Sequence, residues 1–298
     1  MKPSTRREAA KASGANGWEE AQVVVGGARI HYTRTGGSKP AVVLAHGALD
    51  DGLCWTRVAR ALEADYDVVM PDSRGHGRSG HSNGDYSSEA RAQDLSGVIL
   101  ELGLDRPVVG GHSMGADSAL HLAAGYPQLI RGVFLEDPPM PAEGEPMFGG
   151  KAGERMGDSP KLLIRAQQVF ARLPRFAVRA IARKIMPLVG PEEHEPWIES
   201  KRRVSKDFIA ALASGGFDVF RDPFTALAKI QAPTLLLRGD RELGAIVGNA
   251  AEARARKALP GLEVAYISGA NHDVRRTGYD AYIAAVKGFL ALALTDGV

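Results

Sequence analysis

The chain has little of several features that would indicate particular classes of protein. It contains one cysteine, Cys54, in 298 residues, which excludes an internal disulfide and is typical of a reducing compartment. The formal net charge is only +2, so the whole-chain charge gives no indication of a nucleic-acid or membrane-surface partner. The sequence also has no apolar run of the roughly 18 residues that a membrane-spanning helix needs.

Other signals are missing as well. No apolar stretch follows the polar first residues, so we expect no secretory signal and a cytoplasmic protein. The glycine-rich turns at 75–77 and 110–111 lack the spacing of a dinucleotide fingerprint, and no phosphate loop or metal-ligand cluster is evident. The sequence therefore predicts a protein without a cofactor or metal, and without a nucleic-acid or membrane partner.

Short apolar runs alternate with helical patterns along most of the chain. Runs typical of buried strands lie at 41–45, 66–70, 132–136, 234–240 and 263–269, and two further runs around Gly26-Gly27 predict a β-hairpin. Between several of these runs, apolar residues recur at helical spacing. This alternation predicts an α/β fold with a mostly parallel sheet, right-handed crossovers and flanking helices.

The rhythm breaks in the middle of the chain, which suggests an insertion. From residue 138 to 230 the sequence shows basic amphipathic helical patterns, punctuated by prolines, and no buried strand. We therefore expect a core formed by residues 20–137 and 231–298, with a helical cap, or lid, at 138–230. The polar segment 1–19 is expected to be a flexible arm.

The pattern most indicative of chemistry is Gly111-His112-Ser113-Met114-Gly115, which follows an apolar run and precedes a helical pattern. A serine on a tight turn between a strand and a helix has a strained backbone, so its flanking residues need to be almost free of side chains. The turn presents the serine hydroxyl, and the amides at the helix start can stabilise a developing negative charge. This pattern predicts a nucleophile elbow with Ser113 as the nucleophile.

Three further motifs occur in order along the chain, at 46–48, 72–79 and 269–272. His46-Gly47-Ala48 resembles an oxyanion loop, Asp72-Ser73-Arg74-Gly75-His76-Gly77-Arg78-Ser79 resembles a turn of capped hydrolases, and Gly269-Ala270-Asn271-His272 resembles a loop that carries a catalytic histidine. Together with the elbow, they make residues 21–294 resemble an α/β-hydrolase with a cap domain.

The resemblance implies roles for four residues. Ser113 would be the nucleophile, and His272, last of the candidate histidines and in a loop after a strand, would be its base. The backbone N–H groups of Ala48 and Met114 would form the oxyanion hole, where donors face the position at which negative charge develops.

The acid that orients the histidine is left open by the sequence. The usual position in the family follows the strand at 234–238, three residues past Gly239, which here is Glu242. In haloalkane dehalogenases and fungal zearalenone lactonases the acid lies after an earlier strand, and the corresponding residue is Asp137. Asp240 and Glu136 are further candidates.

The resemblance implies hydrolysis of carboxylic esters of small to medium hydrophobic substrates, through an acyl-enzyme on Ser113. A serine at the elbow is unlike the aspartate of haloalkane dehalogenases and epoxide hydrolases. Lactone hydrolysis and C–C bond hydrolysis on the same triad remain alternatives. A third is a small-molecule receptor that binds its ligand without turnover. The expected partner is a small-molecule ester or lactone, and the fold alone does not choose among these chemistries.

Overall fold

A single sheet organises the part of the chain that the structure describes. We describe a computed structural model over residues 12–13, 17–80, 84–156, 161–185, 189, 191–214 and 222–294. Its strands are β1 (Ala12–Ser13), β2 (Glu19–Val25), β3 (Ala28–Arg34), β4 (Ala41–Ala45), β5 (Asp67–Pro71), β6 (Val108–His112), β7 (Gly132–Glu136), β8 (Thr234–Arg238) and β9 (Glu263–Tyr266).

The strands lie in the order β1-β2-β3-β5-β4-β6-β7-β8-β9. The pairs from β1 to β5 are antiparallel, and the pairs from β5 through β4 to β9 are parallel. The hairpin of β2 and β3 turns at Gly26-Gly27, where both residues have positive φ. The predicted α/β fold with a mostly parallel sheet is confirmed.

Helices cover both faces of the sheet. They are α1 (Thr56–Leu62), α2 (Ser88–Glu101), α3 (Met114–Gly125), α4 (Gly150–Met156), α5 (Lys161–Arg172), α6 (Arg175–Ile185), α7 (Pro191–Arg202), α8 (Lys206–Ser214), α9 (Pro223–Leu227), α10 (Asn249–Ala258), α11 (Val274–Thr277) and α12 (Tyr279–Leu294). None of the described helices is both long and apolar enough to cross a lipid bilayer.

Alternate residues of the central strands belong to two separate cores. Val43 of β4 packs in the core that includes residues of α2, α3, α9 and α10. Its neighbours Val42 and Leu44 pack in the other core, with residues of α1 and α12. Every residue of β4 to β8 is buried, because a parallel strand between two helical layers meets apolar side chains on both faces.

Helices α4 to α9 fall between β7 and β8, and no strand occurs in the described residues of 138–230. At the end of that range, Phe224 and Leu227 of α9 belong to the core cluster shared with α3. Within the expected N-terminal arm, Ala12–Ser13 pair with Glu19 and Glu20 of β2, while residues 1–11 and 14–16 lie outside the described residues.

Candidate active site

Ser113 occupies the turn between β6 and α3. Its backbone has φ 51° and ψ −116°, a conformation that an L-residue adopts only under strain. Its N–H donates to the carbonyl of Glu136 at 3.0 Å, which ties the turn to the end of the neighbouring strand β7. The residue is partly exposed, unlike its buried neighbours on both sides.

The two glycines around the turn allow helix and strands to approach closely. A Cβ on Gly111 would lie 2.2 Å from the carbonyl oxygen of Gly115. A Cβ on Gly115 would lie 2.1 Å from the carbonyl oxygen of Ala45 at the end of β4. Because both contacts are with backbone atoms, no side-chain movement could relieve them. The packing therefore requires glycine at both positions.

His272 lies in the loop between β9 and α11 and contacts Asp137. Its Nδ1 is 2.7 Å from Oδ2 of that carboxylate, and 19% of the imidazole side chain is exposed, whereas the carboxylate is fully buried. An imidazole that donates Nδ1–H to a carboxylate carries its basic lone pair on Nε2. The pair therefore has the tautomer that a general base requires.

Asp137 is fixed by further backbone contacts at the end of β7. Its side chain accepts hydrogen bonds from the N–H of Ile246 at 2.8 Å and of Val247 at 2.9 Å. Its own N–H donates to Leu237 at 2.8 Å, and its φ is 39°. Donors of this kind fix the orientation of a buried carboxylate.

The other three candidate acids lie elsewhere. Glu242 is exposed in the short 3₁₀ turn Arg241–Leu243, and the left-handed Gly244 then returns the chain so that Ile246 and Val247 face Asp137. Asp240 accepts from the N–H of Gly269 at 2.6 Å, and Glu136 accepts from Arg275. The structure thus brings the alternative carboxylate Asp137 to His272, and not Glu242 at the expected position.

The loop that carries Ala48 lies against the start of α3, where Met114 begins the helix. A Cβ on Gly47 would be 2.6 Å from Nδ1 of His112, and Gly115 directly abuts the end of β4. The two expected oxyanion amides thus belong to adjoining segments. Leu49, the next residue of the loop, has φ 66°, in the left-handed region.

Two buried histidines support the same loop. His46 donates from Nδ1 to the carbonyl of Gly47 at 2.8 Å, and its Nε2 accepts the N–H of Ser73 at 2.9 Å. His76 accepts the N–H of Leu49 at 3.4 Å. Burial lowers the pKa of His46 and lowers that of His76 to about 3, so both are neutral at physiological pH.

His112 connects the elbow to the histidine loop. Its Nε2 lies 3.1 Å from the carbonyl oxygen of His272, to which it donates, and the two rings are 4.7 Å apart. Burial, with the charge of Arg275 in addition, lowers the pKa of His112 well below its ordinary value. His112 is therefore a neutral donor that holds the backbone of the loop.

The pKa of His272 is shifted in the opposite direction from that of His46, His76 and His112. Burial lowers its pKa, but the hydrogen bond to Asp137, the charge of that residue and the charges of Asp273 and Glu136 outweigh burial, so the pKa is raised above its ordinary value. A base with a raised pKa accepts a proton more readily from a serine hydroxyl.

An apolar cluster lies next to both expected oxyanion positions, Ala48 and Met114. Leu49 and Met114 pack in it with side chains from α5 and α8, namely Ile164, Phe208, Ala211 and Leu212. Phe148, also from the 138–230 segment, stands edge-on to the His272 ring at 5.0 Å. Residues of this segment therefore lie beside Met114 and His272.

A buried ionic network next to the site was not anticipated from the sequence. It contains Asp50, Glu136, Glu193, Lys201, Asp273, Arg275 and Arg276, and Arg275 also contacts the buried thiol of Cys54 at 3.4 Å. A signal was present, since Asp50 follows the oxyanion motif and Arg275-Arg276 follow His272. Over the described ranges, no group of three or more His, Cys, Asp and Glu residues could hold a metal ion.

Comparison with known proteins supports the family assignment. The model of the alpha/beta hydrolase family matches residues 42–285. N-formylmaleamate deformylase of Pseudomonas putida is 28% identical over 278 residues, which cover 90% of this chain and 95% of that protein. The 2-(acetamidomethylene)succinate hydrolase of Mesorhizobium japonicum is 26% identical, over 86% of this chain and 90% of the relative.

The solved structures include similar folds. The crystal structure of E-2-(acetamidomethylene)succinate hydrolase superimposes with a TM-score of 0.76 at 23% identity, covering 92% of this chain and 99% of the other. At this identity the similarity shows a common fold.

Proposed function

Because the chain belongs to the alpha/beta hydrolase family, we propose that it is a serine hydrolase that cleaves carboxylic esters of small to medium apolar substrates through an acyl-enzyme on Ser113. The observation that carries this proposal is the 2.7 Å contact between His272 and the buried Asp137, at the same edge of the sheet as the strained serine. Asp137 is the acid of the proposed triad.

In the proposed mechanism, Nε2 of His272 takes the proton of the Ser113 hydroxyl as the oxygen attacks the substrate carbonyl. Asp137 stays ionised and stabilises the imidazolium that forms. The N–H groups of Ala48 and Met114 donate to the oxyanion of the tetrahedral intermediate. Collapse breaks the bond to the leaving oxygen, which takes the proton from His272 and departs as the alcohol, and a water activated by His272 then releases the acid from Ser113.

The apolar cluster supports the substrate class. Met114 supplies one expected oxyanion amide, and Leu49 directly follows Ala48, which supplies the other. Both side chains pack with Ile164 and Phe208 of the 138–230 segment. A substrate bound over Ser113 would meet these side chains, and burial of apolar surface would contribute to its binding. In this proposal the segment at 138–230 is a cap that shapes the substrate pocket.

Amide cleavage is a second candidate, favoured by the two relatives. The names of their substrates, N-formylmaleamate and 2-(acetamidomethylene)succinate, each contain an acyl group on nitrogen. The same serine, histidine and oxyanion amides could transfer such a group, with an amine instead of an alcohol protonated by His272. Lactone and C–C bond hydrolysis on the same residues remain further alternatives.

A substrate panel tests the proposal. We would measure steady-state hydrolysis of p-nitrophenyl esters from acetate to decanoate, of a simple lactone, and of N-formylmaleamate and 2-(acetamidomethylene)succinate. Wild type and Ser113→Ala would be compared throughout. We expect turnover of the short and medium esters, and a loss of at least about three orders of magnitude in the variant.

The outcomes separate the candidates. Preference for the N-acyl substrates would replace the ester assignment while retaining Ser113 as the nucleophile. Release of one equivalent without further turnover would favour the receptor. Ester turnover that survives Ser113→Ala would contradict the proposed mechanism.

A further inference from the structure

A lysine from α7 contacts the loop that carries the expected oxyanion amide of Ala48. Nζ of Lys201 donates to the carbonyl oxygen of Leu49 at 2.7 Å and to Oδ1 of Asp50 at 2.8 Å. Lys201 and Asp50 are both buried. An ammonium group is costly to bury, so its two acceptors in this loop are needed to offset the loss of water.

The residue that Lys201 contacts is strained. Leu49 has φ 66°, and its amide donates to Nε2 of His76 while its carbonyl accepts from Lys201. The peptide groups on both sides of this residue are therefore held by buried side chains. The peptide group between Leu49 and Asp50, whose carbonyl Lys201 contacts, also donates the N–H of Asp50 to the carbonyl of Gly47 at 3.2 Å. That carbonyl lies in the same peptide group as the N–H of Ala48, so the direction of this N–H depends on the turn that Lys201 holds.

The same helix also contacts α11, the short helix that directly follows the loop of His272. Oδ2 of Asp50 accepts from Arg276 at 3.0 Å and from Arg275 at 3.4 Å. Arg276 in turn donates to Glu193 at 3.0 Å, near the start of α7. One helix of the 138–230 segment thus contacts the oxyanion loop at one end and, at the other, α11, which directly follows the histidine loop.

We propose that Lys201 is a positioning residue, which holds the oxyanion loop through Leu49 and Asp50 and so couples the docking of α7 to the geometry of the oxyanion hole. This inference rests on the proposed function for its catalytic consequence. Lys201 acts through the loop and not on the substrate.

Lys201→Met tests this role. The substitution keeps a long side chain and removes the ammonium group, while Asp50 retains Arg275 and Arg276 as partners, so we expect the variant to fold. Loss of one oxyanion donor costs about 10²–10³ in kcat. Misalignment of one donor should cost less, and we expect kcat to fall about 10- to 100-fold with KM changed by less than about threefold.

Arg202→Met is the matched control. Arg202 is the next residue of α7, is exposed, and donates to the carbonyl of Leu173 within the 138–230 segment. Removal of this cation should leave kcat within about twofold of wild type. Equal loss of kcat in both variants would overturn the proposal, because it would indicate a general effect on the segment.

A second measurement does not depend on catalysis. Hydrogen–deuterium exchange would be followed in peptides spanning residues 46–53 in wild type, Lys201→Met and Arg202→Met. We expect faster exchange in this loop in Lys201→Met only. If Ser113→Ala fails to abolish turnover, the proposed function is wrong, and exchange alone decides whether Lys201 holds the loop. Unchanged exchange in Lys201→Met would overturn the inference in either case.

Discussion

Asp137 combines complete burial with a strained backbone, and both are tied to its contact with His272. Its φ of 39° lies in a region that L-residues occupy at a cost of about 1–3 kcal/mol. Two amide donors and the imidazole satisfy its carboxylate, which compensates for removing the charge from water. Such an arrangement persists where the surrounding structure fixes it on several sides.

Asp137→Asn should lower kcat/KM by about 10²–10⁴, because the amide cannot both hold the tautomer of His272 and stabilise its charged form. Glu242→Gln is the control and should leave kcat/KM within about twofold of wild type, since Glu242 is exposed. Ester hydrolysis of the two variants would be compared at neutral pH, with thermal unfolding to exclude loss of the fold. A large loss in Glu242→Gln instead would contradict the assignment of Asp137.

The raised pKa of His272 predicts a pH profile. The imidazole accepts a proton only when neutral, so kcat/KM should rise with pH through an apparent pKa above the ordinary value. Asp273 contributes to the raised pKa and lies outside the His272–Asp137 hydrogen bond, so Asp273→Asn should move the rising limb to lower pH. A rising limb that does not move in this variant would argue against His272 as the titrating base.

Among the individual site residues, the sequence could predict the serine and the histidine but not the acid. Ser113 and His272 each lie within a short local pattern, whereas the choice of acid depends on how the chain turns after β8. A 3₁₀ turn leaves Glu242 in solvent and returns the amides of Ile246 and Val247 to Asp137. The sequence pattern does not specify the path of that turn.

Helix α3 shows how an element depends on glycine at one end and not at the other. At its start, Gly115 packs against the backbone of β4, where there is no space for a methyl group. At its end, Gly125 has no atom within 4 Å of the position of a Cβ. The same residue type therefore has different consequences along one helix.

Gly115→Ala should destabilise the protein by more than about 3 kcal/mol or prevent folding, because the added Cβ would force helix and strand apart. Gly125→Ala should leave stability unchanged or raise it by up to about 1 kcal/mol, since alanine favours the helix. Urea unfolding would measure both free energies. Similar values for the two variants would show that α3 and β4 can accommodate a methyl group between them.

Most helices and strands agree with the sequence patterns, but one helix of the 138–230 segment does not begin or end where its prolines suggested. The patterns at 161–170 and 177–182 correspond to parts of α5 and α6. Prolines were expected to separate helices, and Pro174 and Pro191 do stand at helix starts, but Pro196 lies inside α7. Packing of Trp197 and Ile198 with Val178 of α6 accompanies this exception, and tertiary burial of that kind is not visible in a local pattern.

On the scale of the whole molecule, buried acids respond to pH in opposite ways. The charges of Arg276 and Lys201 outweigh burial and hold the pKa of Asp50 well below its ordinary value. Burial raises the pKa of Glu136 from 4.5 to about 7, in spite of the adjacent Arg275. Asp50 thus contributes stability that is lost in acid, whereas Glu136 contributes stability that is lost as the pH rises.

The contribution of Glu136 to the free energy of unfolding should therefore fall between about pH 4.5 and 7. Over this interval the unfolded chain has released the proton that folded Glu136 still holds, so a higher pH favours unfolding. Glu136→Gln should remove this contribution, because glutamine cannot titrate, so the free energy of unfolding of the variant should fall less, or rise more, with pH over this interval than that of wild type. Urea unfolding of both proteins at several pH values would measure the difference, and identical slopes would contradict the prediction.

The ionic network illustrates what a sequence cannot supply. Asp50 and Arg276 are 226 positions apart, and Lys201 reaches Asp50 from a separate segment. Charged residues beside two motifs could suggest importance, but their pairing depends on the final arrangement of three distant segments. Long-range contacts of this kind follow from the fold and not from any local pattern.

The single cysteine gives the molecule an internal reporter of opening. Burial raises the pKa of the Cys54 thiol well above its ordinary value, and a thiol reacts with disulfide reagents as the thiolate. Because the thiol is buried and contacts Arg275, it can be labelled only when the structure around it opens. The rate of that labelling would measure how often this region opens, without any dye or engineered residue.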